Sequence, residues 1–254
     1  MRSLVTGATA GLGAEFARQL AAGGSDLVLV ARDAGRLEET ATGLRAHGID
    51  VEVLRADLSD EADLARVAKR LAADERPIDL LVNNAGFGLH SKLVDPDLSV
   101  HRNALDVMCW AVLVLGGIAA GAMRRRGTGR IINISSLASW TTQGHYSAIK
   151  AWVRSYSEGL SNELRGSGVT VTVACPGWVR TEFHERAGIR TSALPDWAWD
   201  QPGPVVSQIL SDSARGKVIS VPGRPVWKLV RAVLKLAPAG GVRAVSRAIS
   251  SSRD

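Results

Sequence analysis

Thr6-Gly7-Ala8-Thr9-Ala10-Gly11-Leu12-Gly13 lies between an apolar run, Arg2–Thr6, and a stretch in which Leu12, Phe16 and Leu20 recur every four residues. The run before it reads as a buried strand, and the spacing after it puts three apolar side chains on one helix face. A turn this rich in small residues lets the backbone bend sharply and come close to a ligand. The helix start that follows offers oriented N–H groups and a partial positive charge, a combination suited to a pyrophosphate. A glycine-rich string alone is an ordinary turn; the strand before it and the helix after it give it weight. Gly23-Gly24 should end that helix.

Outward from this unit the same alternation continues. Further strand candidates are Asp26–Ala31, Asp50–Ala56, Ile78–Asn83, Gly129–Ser135, Val169–Cys175 and Lys217–Val221. They are rich in Val, Ile and Leu and mostly lack strict alternation, as expected where both sheet faces are covered. Asp33 is placed to cap a helix carrying Leu37 and Leu44, and long helices are expected over 99–125 and 146–165. The fold class expected is α/β: a Rossmann-type doubly wound parallel sheet of about seven strands with helices on both faces. No repeat or interior linker interrupts it. The economical division is one catalytic-type domain over 1–225, with a looser lid region near 182–212, and a basic amphipathic tail over 226–254.

The chain has 254 residues, 46% hydrophobic and 22% charged, enough to build a sizeable core. Cys109 and Cys175 sit among apolar neighbours and read as buried thiols in a reducing compartment, with no disulfide and no metal site. The first residues run straight into strand sequence without a signal-peptide pattern, so a soluble cytoplasmic protein is expected. The apolar run Ala111–Met123 contains three glycines and is short for a bilayer span. Asn133-Ile134-Ser135 fits a glycosylation sequon but falls in a core strand candidate. The net charge of +6 is unevenly placed: residues 213–253 hold six Arg and three Lys and no acid.

Five more motifs follow in order. They are Asp57-Leu58, Asn83-Asn84-Ala85-Gly86, Ile134-Ser135-Ser136, Tyr146-Ser147-Ala148-Ile149-Lys150 and Pro176-Gly177-Trp178-Val179-Arg180-Thr181. With the first loop, spaced Gly-xxx-Gly-x-Gly, they resemble the short-chain dehydrogenase/reductase family over nearly the whole chain. The resemblance implies hydride transfer between a nicotinamide cofactor and a carbonyl or alcohol carbon. It implies cofactor contacts from Gly7, Thr9, Gly11, Leu12 and Gly13 in the loop, from Asp57 and Leu58 at the adenine, and from Asn83, Ala85 and Gly86. It adds Tyr146 and Lys150 at the ribose and nicotinamide, and Pro176, Gly177, Val179 and Thr181 around the carboxamide.

In Rossmann-type sites an acid at the end of the second strand accepts from the ribose 2′-OH. Here Ala31 stands there and Arg32 follows, able to pair with a 2′-phosphate through its planar fork. NADP(H) is therefore expected over NAD(H), unless Asp33 turns inward. Tyr146 and Lys150 lie four apart on a helix, on one face. A neighbouring ammonium favours the phenolate, which suits Tyr146 to general acid–base work. The resemblance makes Ser136 the residue that polarises the substrate oxygen, with Ser135 and Ser139 in reserve. Two departures stand out. Ser136 precedes Tyr146 by ten residues, across a shortened loop, and Met108 stands where many members carry an Asn that orders a water, Asn103 being a turn too early.

Substrate contacts are expected from Ser136, Trp140, Tyr146 and Phe183, with His145, Leu89, His90, His184, Ile189, Leu194, Trp197 and Trp199 as further candidate walls or lid residues. Their apolar character suits a small apolar carbonyl or secondary alcohol, although lids also pack on their own domain. Two other readings stand beside this one: a 3-oxoacyl carrier-protein reductase, and a non-catalytic NADP-sensing regulator on the same fold. By analogy, helices 99–125 and 146–165 would pair subunits in a homodimer or homotetramer. The tail either docks on the body, the commoner fate of such helices, or makes peripheral contact with a membrane. Nucleic acid is not an expected partner, since the tail offers only Trp227 for stacking.

Overall fold

The computed structural model describes residues 1–89, 91–182 and 196–251. Its centre is a seven-stranded parallel sheet in the order β3-β2-β1-β4-β5-β6-β9. The strands are β1 (Arg2–Thr6), β2 (Asp26–Ala31), β3 (Val51–Arg55), β4 (Leu80–Asn83), β5 (Gly129–Ile134), β6 (Val169–Ala174) and β9 (Ile219–Ser220). A separate pair joins β7 (Trp178–Val179) to β8 (Trp199–Asp200). The α/β expectation holds. Strand ends draw in by one or two residues, because a ladder stops where its neighbour stops: β9 pairs only at Val173 and Ala174 and keeps two residues.

Helices cover both faces. On one, α1 (Gly11–Ala22), α2 (Ala34–Arg45) and α7 (Pro202–Ala214) bury Phe16, Leu20, Leu37, Val205, Val206 and Ile209 against Val5, Leu27, Leu29 and Ile132 of the sheet. On the other, α3 (Glu61–Ala72), α5 (Ala111–Arg126) and α6 (Gly144–Glu163) bury Leu64, Val67, Leu115, Met123 and Leu160 against Leu4, Val28, Leu81 and Ile131. Asp33 and Asp60 cap α2 and α3 by accepting from the N–H groups of Arg36 and Asp63.

Two expectations are modified, and the tail follows the docked alternative. The helix expected over 99–125 is α4 (Ser99–Leu105) and α5 joined through one wider turn, Asp106–Trp110, that contains Met108. The continuous span, 28 residues, is long and apolar enough to cross a bilayer, yet Ala111, Leu115, Ala119 and Met123 pack it on the sheet as a core helix. The expected loose region narrows, because Pro202 opens α7 and Val205, Val206 and Ile209 are fully buried beside α1. The tail is also structured and docked: α8 (Pro225–Leu236) and α9 (Ala239–Ser251) follow the last strand, and α8 buries Trp227.

Candidate active site

In a parallel sheet of this order, consecutive strands diverge at β1 and β4, and the crevice beyond their carboxyl ends is the natural ligand position. Every motif read from the sequence leaves the sheet on that edge. The loop after β1 is stitched to the loop after β4 by one side chain and one amide. Thr6 Oγ1 accepts from the N–H groups of Asn84 and Ala85, each at 3.0 Å. Asn84 Nδ2 donates to the carbonyls of Thr6 and Gly7 at 3.0 and 3.3 Å. Gly7 has φ +66°, a left-handed conformation that disfavours side chains. A Cβ at Gly13 would collide with the Gly7 carbonyl oxygen. Two of the loop glycines thus have separate reasons to be glycine.

Thr9 and Gly11 are half-buried at the start of α1, and Leu12 packs partly into the core. Thr181 comes back over this turn, close enough that a Cβ at Gly11 would lie 3.3 Å from its own. No side chain caps the start of α1, and its first turn carries no acid. This is the donor-rich, uncapped helix end that a pyrophosphate fits.

At the adjoining strand ends, Arg32 is exposed and its charge lies near Asp57. Burial raises the Asp57 carboxyl, but the N–H and hydroxyl of Ser59 and the Arg32 charge outweigh it, and the net result is below the usual range. Leu58 is buried. Asp33 is spent on its helix cap, accepting from the Arg36 N–H at 3.0 Å. Arg36, which sequence reading overlooked, donates to the Thr9 carbonyl at 3.2 Å and pairs with Glu182. A cavity of about 470 Å³ opens between α1 and α2. It shares Thr9 and Arg36 with this end of the site, while Tyr146 and Lys150 do not line it.

Asn83 lies deeper than the rest of its motif. It is buried, and its amide donates to Asn133 Oδ1 at 2.9 Å. Asn133, fully buried, passes the chain on to Ser157, which bonds the Val153 carbonyl. This polar line ties β4, β5 and α6 together. The sequence showed Asn133 only as a sequon in a core strand and missed this role, because one Asn in an apolar strand gives no periodic signal. Ala85 and Gly86 stay near the crevice: a Cβ on Gly86 would stand 3.0 Å from Met108 Sδ and 3.7 Å from Lys150 Nζ.

The two residues read as a catalytic pair come together. Lys150 Nζ lies 5.6 Å from the centre of the Tyr146 ring. The lysine is 5% exposed and donates to the Ile134 carbonyl at 3.0 Å. Burial pulls its pKa down to about 8. The same burial pushes the thiols of Cys109 and Cys175 up to about 11 and about 12, so both are unreactive at neutral pH. Met108 is buried against Gly86 beside the ammonium, at the position where the family pattern favours an Asn.

Ser136 is half-buried at the end of β5, and its Oγ accepts from the Ala138 N–H at 3.1 Å. Its own hydroxyl hydrogen is therefore left to donate. Ser135 is turned to the Lys150 carbonyl at 2.7 Å, and Ser139 is buried, which leaves Ser136 as the placed hydroxyl of the three. Pro176 is buried and its carbonyl accepts from Leu137; Val179 is buried in the core. Gly177 lies under the Trp227 indole. Trp140 is packed in the C-terminal cluster with Val153 and Trp227, with the guanidiniums of Arg154 and Arg231 at 4.9 and 5.4 Å from its ring centre.

His145 does not stand alone either. Its Nδ1 meets Nδ1 of buried His101 at 2.7 Å, and His101 Nε2 reaches the Lys92 carbonyl at 3.2 Å. Since a carbonyl only accepts, a neutral His101 carries its proton on Nε2 and takes the His145 proton at Nδ1. Burial, then the His101 charge, lowers the His145 pKa. Leu89 joins the small cluster around Met108 and Ile149, and Trp199 is buried against Trp178. Phe183, His184, Ile189, Leu194 and His90, and the side chain of Trp197, lie outside the described residues.

The sequence pattern of the short chain dehydrogenases matches residues 2–190. A short-chain dehydrogenase from Sphingobium yanoikuyae, solved in complex with NADPH, is 34% identical with a TM-score of 0.84, over 94% of this chain and 96% of that one. The bulky-bulky ketone specific alcohol dehydrogenase from Comamonas testosteroni is 27% identical with a TM-score of 0.79, over 94% and 95%. Ketoacyl reductase HetN from Nostoc is 32% identical over 69% of this chain and 62% of that protein. With the fold, the glycine loop and the match over residues 2–190 in agreement, this chain belongs to the short-chain dehydrogenase/reductase family, oxidoreductases that interconvert carbonyl and alcohol carbons with a nicotinamide cofactor.

Proposed function

We propose that this protein is an NADP(H)-dependent reductase or dehydrogenase of apolar carbonyls and secondary alcohols, with Tyr146 as general acid and base. One observation carries the reading: a buried lysine ammonium, bonded to the last carbonyl of β5, lies 5.6 Å from the centre of the Tyr146 ring, one helical turn away, at the carboxyl edge of the sheet. The donor set fits a dinucleotide, with an uncapped helix start, a glycine loop open to close approach, and a buried ammonium with donors beyond its one backbone bond. When bound, the nicotinamide supplies or accepts the hydride.

The protein's own groups do the rest. Ser136 donates its hydroxyl hydrogen to the substrate oxygen. Tyr146 gives its proton to that oxygen as the carbonyl is reduced, and takes it back in the alcohol direction. The Lys150 charge favours the phenolate between turns and offers its remaining N–H groups to the cofactor's ribose. Met108 fills with a thioether the place where many relatives hold a water-ordering amide, so solvent protons reach the site by a route other than that amide. Arg32, with Asp33 turned away as a cap, favours a 2′-phosphate over a 2′-hydroxyl. That a similar chain was solved with NADPH points the same way.

Tyr146→Phe should lower kcat for NADPH-dependent reduction by about 10²–10⁴-fold while leaving NADPH binding, read by fluorescence, near wild type. Undiminished turnover would reject the assignment, and NADPH binding without turnover on a broad panel of ketones, aldehydes and diketones would favour a sensor. Arg32→Ala should raise KM for NADPH roughly tenfold or more with a much smaller change for NADH; equal changes would remove the cofactor preference. The likeness to a ketoacyl reductase supports a second substrate reading, a 3-oxoacyl carrier-protein ester, in which acyl-chain substrates would far outrun small ketones. A reducing cytoplasmic setting suits two buried free thiols. A homodimer or homotetramer is proposed through α5 and α6, where Leu113, Ile118 and Trp152 remain exposed, with Trp110 of the preceding wide turn beside them in sequence.

A further inference from the structure

Helix α8 has two apolar sides, and only one is used by the fold. Trp227, on the inner side, is buried, rests on Gly177 and donates from Nε1 to Asp200 Oδ2 at 2.6 Å. Arg231 turns inward over Trp140. On the outer side Leu229, Val233 and Leu236 are 64%, 57% and 84% exposed. Their spacing of four and three places them in a single stripe. Exposed Lys228 and Lys235 run along one border of that stripe, with Arg224 at its start.

What should cover the stripe is decided by charge. Residues 213–253 contain nine basic side chains and no acid. Arg215 and Lys217 are satisfied by Asp212, and Arg224 lies near Asp200, but Lys228, Lys235, Arg243 and Arg247 have no ion pair among the described residues. A second copy docking here about a two-fold axis would set lysine against lysine. A nucleic acid would use the charge, but it has no use for three aliphatic side chains, and the tail's tryptophan is already buried in the body. An apolar stripe flanked by lysines, whose stems can lie along the same surface, matches the interface of an anionic bilayer.

We propose that α8 is an in-plane docking helix for anionic lipid surfaces. Leu229, Val233 and Leu236 enter the acyl boundary, and Lys228 and Lys235 face the phosphates. Binding needs no unfolding, since the inner side stays on the body. The same helix pair touches the candidate active site, because Ser246 of α9 accepts from the Thr142 N–H four residues before Tyr146. Docking does not depend on the proposed function.

The test is co-sedimentation of the full-length protein with sucrose-loaded vesicles of phosphatidylcholine alone and of phosphatidylcholine with phosphatidylglycerol. The anionic vesicles should bind roughly tenfold or more tighter than the neutral ones, with the difference falling as salt rises. Leu229→Ser with Val233→Ser, and separately Lys228→Glu with Lys235→Glu, should each lower partitioning roughly tenfold, with circular dichroism and thermal melting unchanged. Failure to bind either vesicle, equal binding to both, or full binding by both variants would overturn the proposal. So would a wild-type oligomer, by sedimentation velocity, that falls apart in the serine variant, since a second copy would then cover the stripe.

Discussion

The carboxyl edge of the sheet is built in two ways. Above β1 and β4 the site is made almost wholly of backbone: a left-handed Gly7, a Gly13 with no room for a methyl group, an uncapped helix start, and a threonine and an asparagine that bond main-chain groups. Above β5 and β6 it is made of side chains. A buried lysine lies on a tyrosine, one serine is spent on Lys150 and its neighbour left to donate, and Trp227 reaches back from the C-terminal helices to Gly177 and Asp200. A main-chain cradle serves any substrate that arrives with the same cofactor. The side-chain half can change its chemistry and its walls without disturbing that cradle.

Gly13→Val should break the contrast at its strongest point. With no room beside the Gly7 carbonyl, NADPH binding measured by calorimetry should be abolished, whereas retained binding would show that the loop is more pliable than its packing. Trp227→Ala tests the other half. It removes a buried indole and its bond to Asp200, and should cost about 3–5 kcal/mol in urea unfolding. A loss near zero would mean that α8 is not part of the folded body.

Lys150→Met sharpens the comparison because the two halves pull against each other there. Burial holds the folded-state pKa of Lys150 near 8, below its ordinary 10.5. Stability associated with this group is therefore complete above about pH 10.5 and is lost as pH falls toward 8. Below that, the ammonium is charged in both states and a depression of this size costs roughly 3 kcal/mol. Without cofactor, the methionine variant should be more stable than wild type at pH 7 by up to about that amount. The advantage should shrink between pH 8 and 10.5, and turnover should collapse at every pH. A variant less stable at pH 7 would show that the buried ammonium is well compensated even in the empty crevice.

The fold was legible because its signals are local. Apolar runs mark strands buried on both faces, four-residue spacing marks helix faces, and the glycine spacing at residues 7–13 states where the main chain must bend and come close. The Tyr146–Lys150 pairing was legible for the same reason, since four residues make a helical turn. Which side of α8 docks was not, because an amphipathic helix with apolar side chains on two sides looks alike in sequence whichever side is buried. Nor was the core helix Pro202–Ala214, most of which falls within the region read as a loose lid over 182–212, since it depends on Val205, Val206 and Ile209 finding α1 across the chain.

The sequence by itself determined the strand–helix order, the glycine loop, and the tyrosine and lysine on one helix face, since each is fixed by spacing within a few residues. Only the tertiary structure decided that Asn83 bonds Asn133 inside the sheet, that Asn84 holds the glycine loop, that His145 is tied to His101, and that Trp140 belongs to the C-terminal cluster. Those outcomes are set by which groups become neighbours when water is excluded, and a buried polar group takes whichever partner the packing brings within reach.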